Sequence, residues 1–117
     1  MIAALLTSAL LLCEEPKPIP MQASAYCDYG TTADGSTTIE HLTCAGKREW
    51  FGRTIALYRR NKDDSIGEFI GYYEIHDIGS DPRIINGQSI DIYMPIYDDC
   101  IQFGRIDVYM FFIEGEG

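Results

Sequence analysis

Positive charge is scarce in this chain. Nine Lys and Arg stand against 18 Asp and Glu, a formal net charge of −9. Binding a polyanion needs clustered cations that displace its counterions, so this balance argues against nucleic acid as a partner. Other shortages narrow the field further. The two histidines, His41 and His76, come without a G-x-S-x-G nucleophile elbow. There is no phosphate-binding loop and no G-x-G-x-x-G fingerprint, and a thiol pair of Cys27 with a histidine has no supporting motif. No apolar run is long enough to span a bilayer, and no repeat of the solenoid type occurs. Trp50 is the single tryptophan.

What is present suits one small β domain. The chain has 117 residues, 46% of them hydrophobic, with eight Tyr and five Phe. That length can bury one modest core, and aromatic and β-branched residues favour strands. Residues 1–12 are almost wholly apolar and fit the core of an export signal, although no Lys or Arg precedes them and no A-x-A site follows. Cys13 sits where a lipoprotein cysteine could, behind a Leu12 that is large for such a site. Glu14 to Pro20 reads as a stiff linker. The expected organisation is a signal-like segment and Pro-rich linker over 1–20 and a single domain over 21–117. Its location would be secreted or in the cell envelope, with membrane contact only through the N-terminal signal or a lipid anchor.

Export fits the cysteines. Four of them allow three full pairings, and sequence cannot choose among these. Cys27 with Cys44 would close a short polar loop and is the pairing expected. A zinc site would use Cys27, His41 and Cys44, but it lacks a fourth ligand and the usual paired spacing, so no metal or other cofactor is expected.

Turn signals divide the domain into about six strands. Met21–Asp28 is a first strand, followed by a turn-rich loop through Thr31 and Thr32. Ile39–Ala45 is a short, weak strand, and Gly46–Glu49 a turn or single helical turn. Thr54–Tyr58 and Phe69–His76 are strands joined by a polar hairpin loop, and Ser89–Tyr93 is another. Pro95–Phe103 looks like the one helix, with Pro95 at its first position and Gly104 as a left-handed stop. Arg105–Ile113 is the last strand. Lys47, Arg48, Arg53, Arg59, Arg60 and Lys62 crowd into one stretch, either a solvated face or a patch for an anionic polymer.

The chemistry centres on two aspartates. Asp77 ends one apolar run and precedes Ile78-Gly79, and Asp91 lies within Ile90-Asp91-Ile92-Tyr93. A turn rich in Pro, Asn and Gly separates them. By alternation Asp91 shares a face with Tyr93 and opposes Ile90 and Ile92, so it lies either on the wet face or in a polar pocket. Asp77 reads equally as a turn residue. If the turn brings both carboxylates together, their pKa values can split and supply an acid or base near neutral pH.

The D-x-G of Asp77-Ile78-Gly79, the I-x-x-G around Gly87 and the I-D-I-Y ending at Tyr93 together resemble the three-aspartate (3D) domain. That double-psi β-barrel family is related to membrane-bound lytic transglycosylase A, rare lipoprotein A and the expansins. Ala25-Tyr26, the nearby Thr31 or Thr32, the block Ala45–Trp50, and Gly104 with the strand after it resemble further family segments. The resemblance implies a mainly β fold, a small six-stranded double-psi β-barrel with one short helix. It also implies an enzyme that cleaves peptidoglycan glycan strands between MurNAc and GlcNAc. Asp91 would be the general acid/base and Asp77 the neighbour that tunes it. Tyr26, Thr32, Gly79, Gly87 and Trp50 would bind substrate, although a lone Trp also suits a core. The protein would act as a monomer. A non-catalytic, expansin-like glycan-binding module is the alternative. The family's remaining aspartate falls in an earlier strand. The matching run here, Ile55–Arg59, carries Tyr58 or a neighbour in its place.

Overall fold

In the computed structural model, residues 17–113 are described, so the expected export signal, Cys13 and the start of the linker (14–16) lie outside the described residues, and the end of the linker, Ile19 and Pro20, belongs to the first strand. Six strands follow in chain order: β1 (Ile19–Tyr26), β2 (Thr43–Ala45), β3 (Thr54–Arg60), β4 (Ile66–Asp77), β5 (Ser89–Tyr93) and β6 (Ile106–Phe112). They close into a barrel in the order β1-β5-β2-β4-β3-β6. The mainly β architecture expected from the strand pattern and the resemblance is thus what the chain forms. Two pairs, β1 with β5 and β2 with β4, are parallel, and the other four are antiparallel. Closure removes every open edge, which is how a small sheet protein avoids presenting unpaired backbone to other chains.

Strand alternation builds the core. Leu57, Ile75, Ile90, Ile92, Val108 and Met110 point inward and are essentially inaccessible to solvent. Burying side chains of this size is worth about 1.5–3 kcal/mol each, which is the main force closing the barrel. In β6, Val108 and Met110 are sealed inside, with Ile106 and Phe112 partly buried against them, as the sequence alternation requires. The outer half of β4 runs beyond the barrel as a hairpin with β3. Asn61 N–H donates to Ser65 O at 2.9 Å across its turn, and Asp64 sits at φ 68°.

Three local expectations need correction. The weak strand at 39–45 shrinks to Thr43–Ala45. Ile39 N–H donates to Thr43 Oγ1 at 2.8 Å, and Thr43 N–H returns a bond to Ile39 O at 2.9 Å, so those residues fold into a closed turn instead of pairing. The expected helix begins at Tyr97, with Ile96 as its cap residue and Pro95 outside it. This is helix α2 (Tyr97–Phe103); Gly104 ends it at φ 64°, the left-handed conformation that favours glycine. A second short helix, α1 (Pro82–Ile85), occupies the stretch expected to be a turn. Asp81 caps it by accepting from Arg83 N–H at 2.9 Å, and Pro82 opens its first turn. The Ser-Asp-Pro signal serves turns and helix starts alike, so sequence could not separate the two.

Candidate active site

The three-residue strand β2 brings the two aspartates together. Ala45 pairs with Asp77 of β4 on one side and with Asp91 of β5 on the other. Two strand spacings, about 10 Å, therefore separate the two aspartate backbones. Residues level with one another in a sheet point to the same face, so both side chains emerge where the strands end. There they line a cavity of about 310 Å³ together with Tyr26, Asp28, Ala45 and Asp81. Gly79 and Ile84 complete its rim. Gly46, next to Ala45, packs on the core residues Ile90 and Ile75, and a Cβ there would come within 3.1 Å of Ile90.

Asp91 is partly buried. Its neighbours Ile90 and Ile92 are buried in the core, and its carboxylate points the other way, into the cavity. Ser24 of β1 stands level with it in the parallel register, and the Ser24 hydroxyl donates to Asp91 Oδ1 at 3.0 Å. Burial pushes the Asp91 carboxyl above the usual carboxylate range. The Ser24 bond and the Arg105 guanidinium pull it back, while the like charges of Asp81 and Asp28 add to the rise. The chief like charges acting on Asp91 are those of Asp81 and Asp28.

Asp77 is occupied with backbone and phenol. Its Oδ1 accepts from Ala33 N–H at 3.0 Å and Ile78 N–H at 2.9 Å, and its Oδ2 accepts from the Tyr26 hydroxyl at 3.1 Å. Three donors of this kind fix a carboxylate in orientation. Burial, reinforced by Asp77, raises the Tyr26 phenol far above its ordinary value, so Tyr26 remains a hydrogen-bond donor at all ordinary pH. Its ring packs edge-on against Tyr93 at 5.7 Å.

Thr32 reaches the site indirectly. It is buried in the loop between β1 and β2, and its hydroxyl donates to Asp34 Oδ1 at 2.7 Å. A bridge between Thr31 and Thr37 closes that loop, and its Ala33 supplies the amide to Asp77. His76 clamps the loop to β4. Its Nδ1 meets Asp34 Oδ2 at 2.6 Å, its Nε2 meets Glu74 Oε1 at 2.8 Å, and Asp34 N–H donates to the His76 carbonyl at 3.1 Å. Burial alone would lower the His76 pKa, but the two carboxylates outweigh it and raise it. Against the opposing effect of burial, hydrogen bonds from Ser36, Thr32 and His76 hold Asp34 well below the usual carboxylate range.

Gly87 and Trp50 stand apart from the cavity lining. Gly87 takes φ +78°, and a Cβ there would lie 3.1 Å from the Trp50 ring. Trp50 packs on the core, edge-on to Phe112 at 5.3 Å, with the Lys47 ammonium over its face at 5.7 Å. The cations of the basic stretch are largely engaged nearby. Arg53 stacks on Phe112 at 3.8 Å, Arg59 faces Glu68 at 3.8 Å, and Arg60 lies 3.6 Å from both Asp64 and Asp107. Tyr58, standing where the family carries its further aspartate, packs its ring against Phe69 and Phe111.

The expected Cys27–Cys44 bridge does not form. Cys44 is sealed in the core, and Cys27, Cys44 and Cys100 are all free thiols. His41, the third member of the zinc trio, has an exposed side chain beside Glu40 at 3.5 Å. Sequence reasoning missed Ser24, Asp28, Asp81 and Arg105. Ser24 has the same strand parity as Tyr26, which could have marked its face, but its partner follows only from the parallel pairing of β1 with β5.

Fold and cavity together define a class: a small closed β-barrel with an acidic cleft at the ends of adjoining strands. Compared by sequence, the chain matches no family model and no curated protein. Compared by structure, it is similar to the crystal structure of MltA from E. coli, with a TM-score of 0.52 and 16% identity over 73% of this chain and 27% of that one. At that identity the likeness is one of fold, and the chain spans about a quarter of the length of MltA.

Proposed function

We propose that the chain is an exported peptidoglycan-cleaving enzyme of the lytic transglycosylase kind, acting on the MurNAc–GlcNAc bond in the cell envelope. The observation that carries this reading is Asp91: a carboxyl with a raised pKa, partly desolvated, held by one hydroxyl and facing an open cavity. A carboxyl tuned upward can deliver a proton near neutral pH, which is what a leaving glycosidic oxygen needs. The barrel shared with MltA, a lytic transglycosylase A, and the spacing of Asp77 and Asp91 support the same reading.

In this mechanism protonated Asp91 donates to the glycosidic oxygen as the C1–O bond breaks. The resulting carboxylate then takes the proton of the C6 hydroxyl of the same MurNAc, whose oxygen closes on C1 to give a 1,6-anhydro sugar. One carboxyl serves both steps, since the acid that gave the proton is left as the base. Asp77 places its carboxylate in the cleft, where it stabilises the positive charge that develops on the sugar ring. Tyr26 and the Ala33 amide hold Asp77 in place, and Gly79 leaves room for the glycan at the rim. The protein works as a monomer.

The alternative reading is a wall-glycan-binding module of the expansin kind. Mass spectrometry of purified peptidoglycan after incubation with wild type and Asp91→Asn separates the two. Anhydro-muropeptides from wild type, reduced about 10²–10⁴-fold in the variant, support catalysis by Asp91. Glycan sedimentation with no new product from either protein moves the function to binding alone.

A further inference from the structure

Two cysteines distant in sequence, Cys27 and Cys100, approach each other where β1 ends. β1 and β5 run parallel up to the pair Tyr26 and Tyr93, and Cys27 and Met94 are the residues that follow on the two chains. The Met94 N–H donates to the Tyr26 carbonyl at 2.8 Å. From helix α2, the Cys100 thiol donates to the Met94 carbonyl at 3.2 Å. Met94 thus bonds through its amide to the residue before Cys27 and through its carbonyl to Cys100, and the Cys27 side chain lies within hydrogen-bonding reach of the Cys100 thiol. Both residues are only partly covered, whereas Cys44 is sealed in the core.

We infer that Cys27 and Cys100 are an oxidisable pair whose disulfide fastens helix α2 to the end of β1. The oxidant is a small-molecule or protein disulfide. One cysteine thiolate attacks it, forms a mixed disulfide and releases one thiolate; the second cysteine thiolate then attacks the protein-side sulfur and expels the other. Two protein thiols become one S–S bond, and the oxidant is reduced to two thiols. The bond would hold one wall of a second cavity, of about 370 Å³, which α2 forms with Asp99, Gln102 and Phe103 against Tyr93 and Met94. Burial, and then the neighbouring Cys27, raise the Cys100 thiol above its ordinary value. Closure by attack of Cys100 therefore speeds up as pH rises. The inference does not depend on what the acidic cleft does.

The test uses the full chain, reduced and then incubated with oxidised glutathione, followed by alkylation and peptide mapping without reductant. The expected result is a Cys27–Cys100 crosslinked peptide, with Cys44 alkylated only after denaturation. The oxidised protein should melt about 10 °C or more above the reduced one, because a crosslink between residues so far apart in sequence restricts the unfolded chain strongly. That shift should be absent in Cys27→Ser and in Cys100→Ala, each compared with its own reduced form, so a loss of packing at either site does not mimic the result. Glutathione adducts on Cys27 or Cys100 without crosslinking, or a bridge from either one to Cys13 or Cys44, would overturn the assignment.

Discussion

The His76 clamp makes the stability of the site loop depend on pH, and the sign follows from the structure. Two carboxylates, Asp34 at 2.6 Å and Glu74 at 2.8 Å, raise the His76 pKa above its ordinary 6.5. A group whose folded pKa is raised contributes stability that is complete below its unfolded value and lost as pH climbs through the folded one. The His76 side chain is 19% exposed, Asp34 22% and Glu74 39%, so solvent screens both pairs and Glu74 more than Asp34. With that screening the two contacts together amount to about 1 kcal/mol. The perturbation is His76→Gln, which keeps hydrogen-bonding capacity and removes the titratable charge. Urea denaturation at intervals from pH 5.5 to 9 should show wild type more stable than the variant by about 1 kcal/mol at the acid end, with the gap closing towards the alkaline end. The protection factor of the Ala33 amide, the donor to Asp77, taken after correction for the base-catalysed intrinsic rate, should fall over the same interval in wild type and stay level in the variant. Parallel stability profiles for the two proteins, or a gap that widens with pH, would refute the reasoning.

Three further outcomes follow from the geometry of the cleft. Asp91 has a raised pKa, so its ionisation disfavours the folded state above the unfolded carboxylate value; Asp91→Asn should gain about 1 kcal/mol at pH 7 after allowance for partial exposure and nothing at pH 3, by chemical denaturation. Ser24→Ala removes a bond that lowers the Asp91 pKa, so the alkaline limb of the activity profile should move upward; an unchanged or downward limb would dissociate Ser24 from Asp91. Gly87→Ala places a side chain at φ +78° against the Trp50 ring, whereas Gly79→Ala meets only the terminal methyl of Ile84 at 2.7 Å. Thermal melts should show a loss of about 1–3 kcal/mol for the first and a smaller one for the second, since the end of Ile84 can rotate away.

Strand alternation made most of the barrel legible. Ile90 and Ile92 against Asp91, and Val108 and Met110 against Asp107, assign the inner and outer faces of β5 and β6 without reference to any partner. Pairing was hidden, because a residue's face follows from its own neighbours whereas its register depends on residues far away. Nothing in Ser24 or Ala45 announces that the one sits level with Asp91 and the other lies between the two aspartates. The acidic cleft was partly visible through Asp77-Ile78-Gly79 and Ile90-Asp91. Its electrostatics were not, since Asp81 reads as a turn residue until its role as helix cap places it beside Arg105 at 3.9 Å. Cysteine pairing failed for the same reason: Cys27 and Cys44 are close along the chain, but Cys44 turns into the core.

The short strand β2 has a consequence for how the protein comes to exist. β4 and β5 follow each other in the chain, yet in the barrel they are kept apart by three residues contributed from an earlier segment. No hairpin or contiguous fragment contains the cleft, and contacts of such sequence separation form slowly because the loop entropy must be overcome first. The two aspartates would then be the last part of the molecule to reach their final positions, and the amides of Ala45 and Asp91 would exchange with solvent only when the whole barrel opens. A ring closed by its smallest piece forms as a whole or not at all.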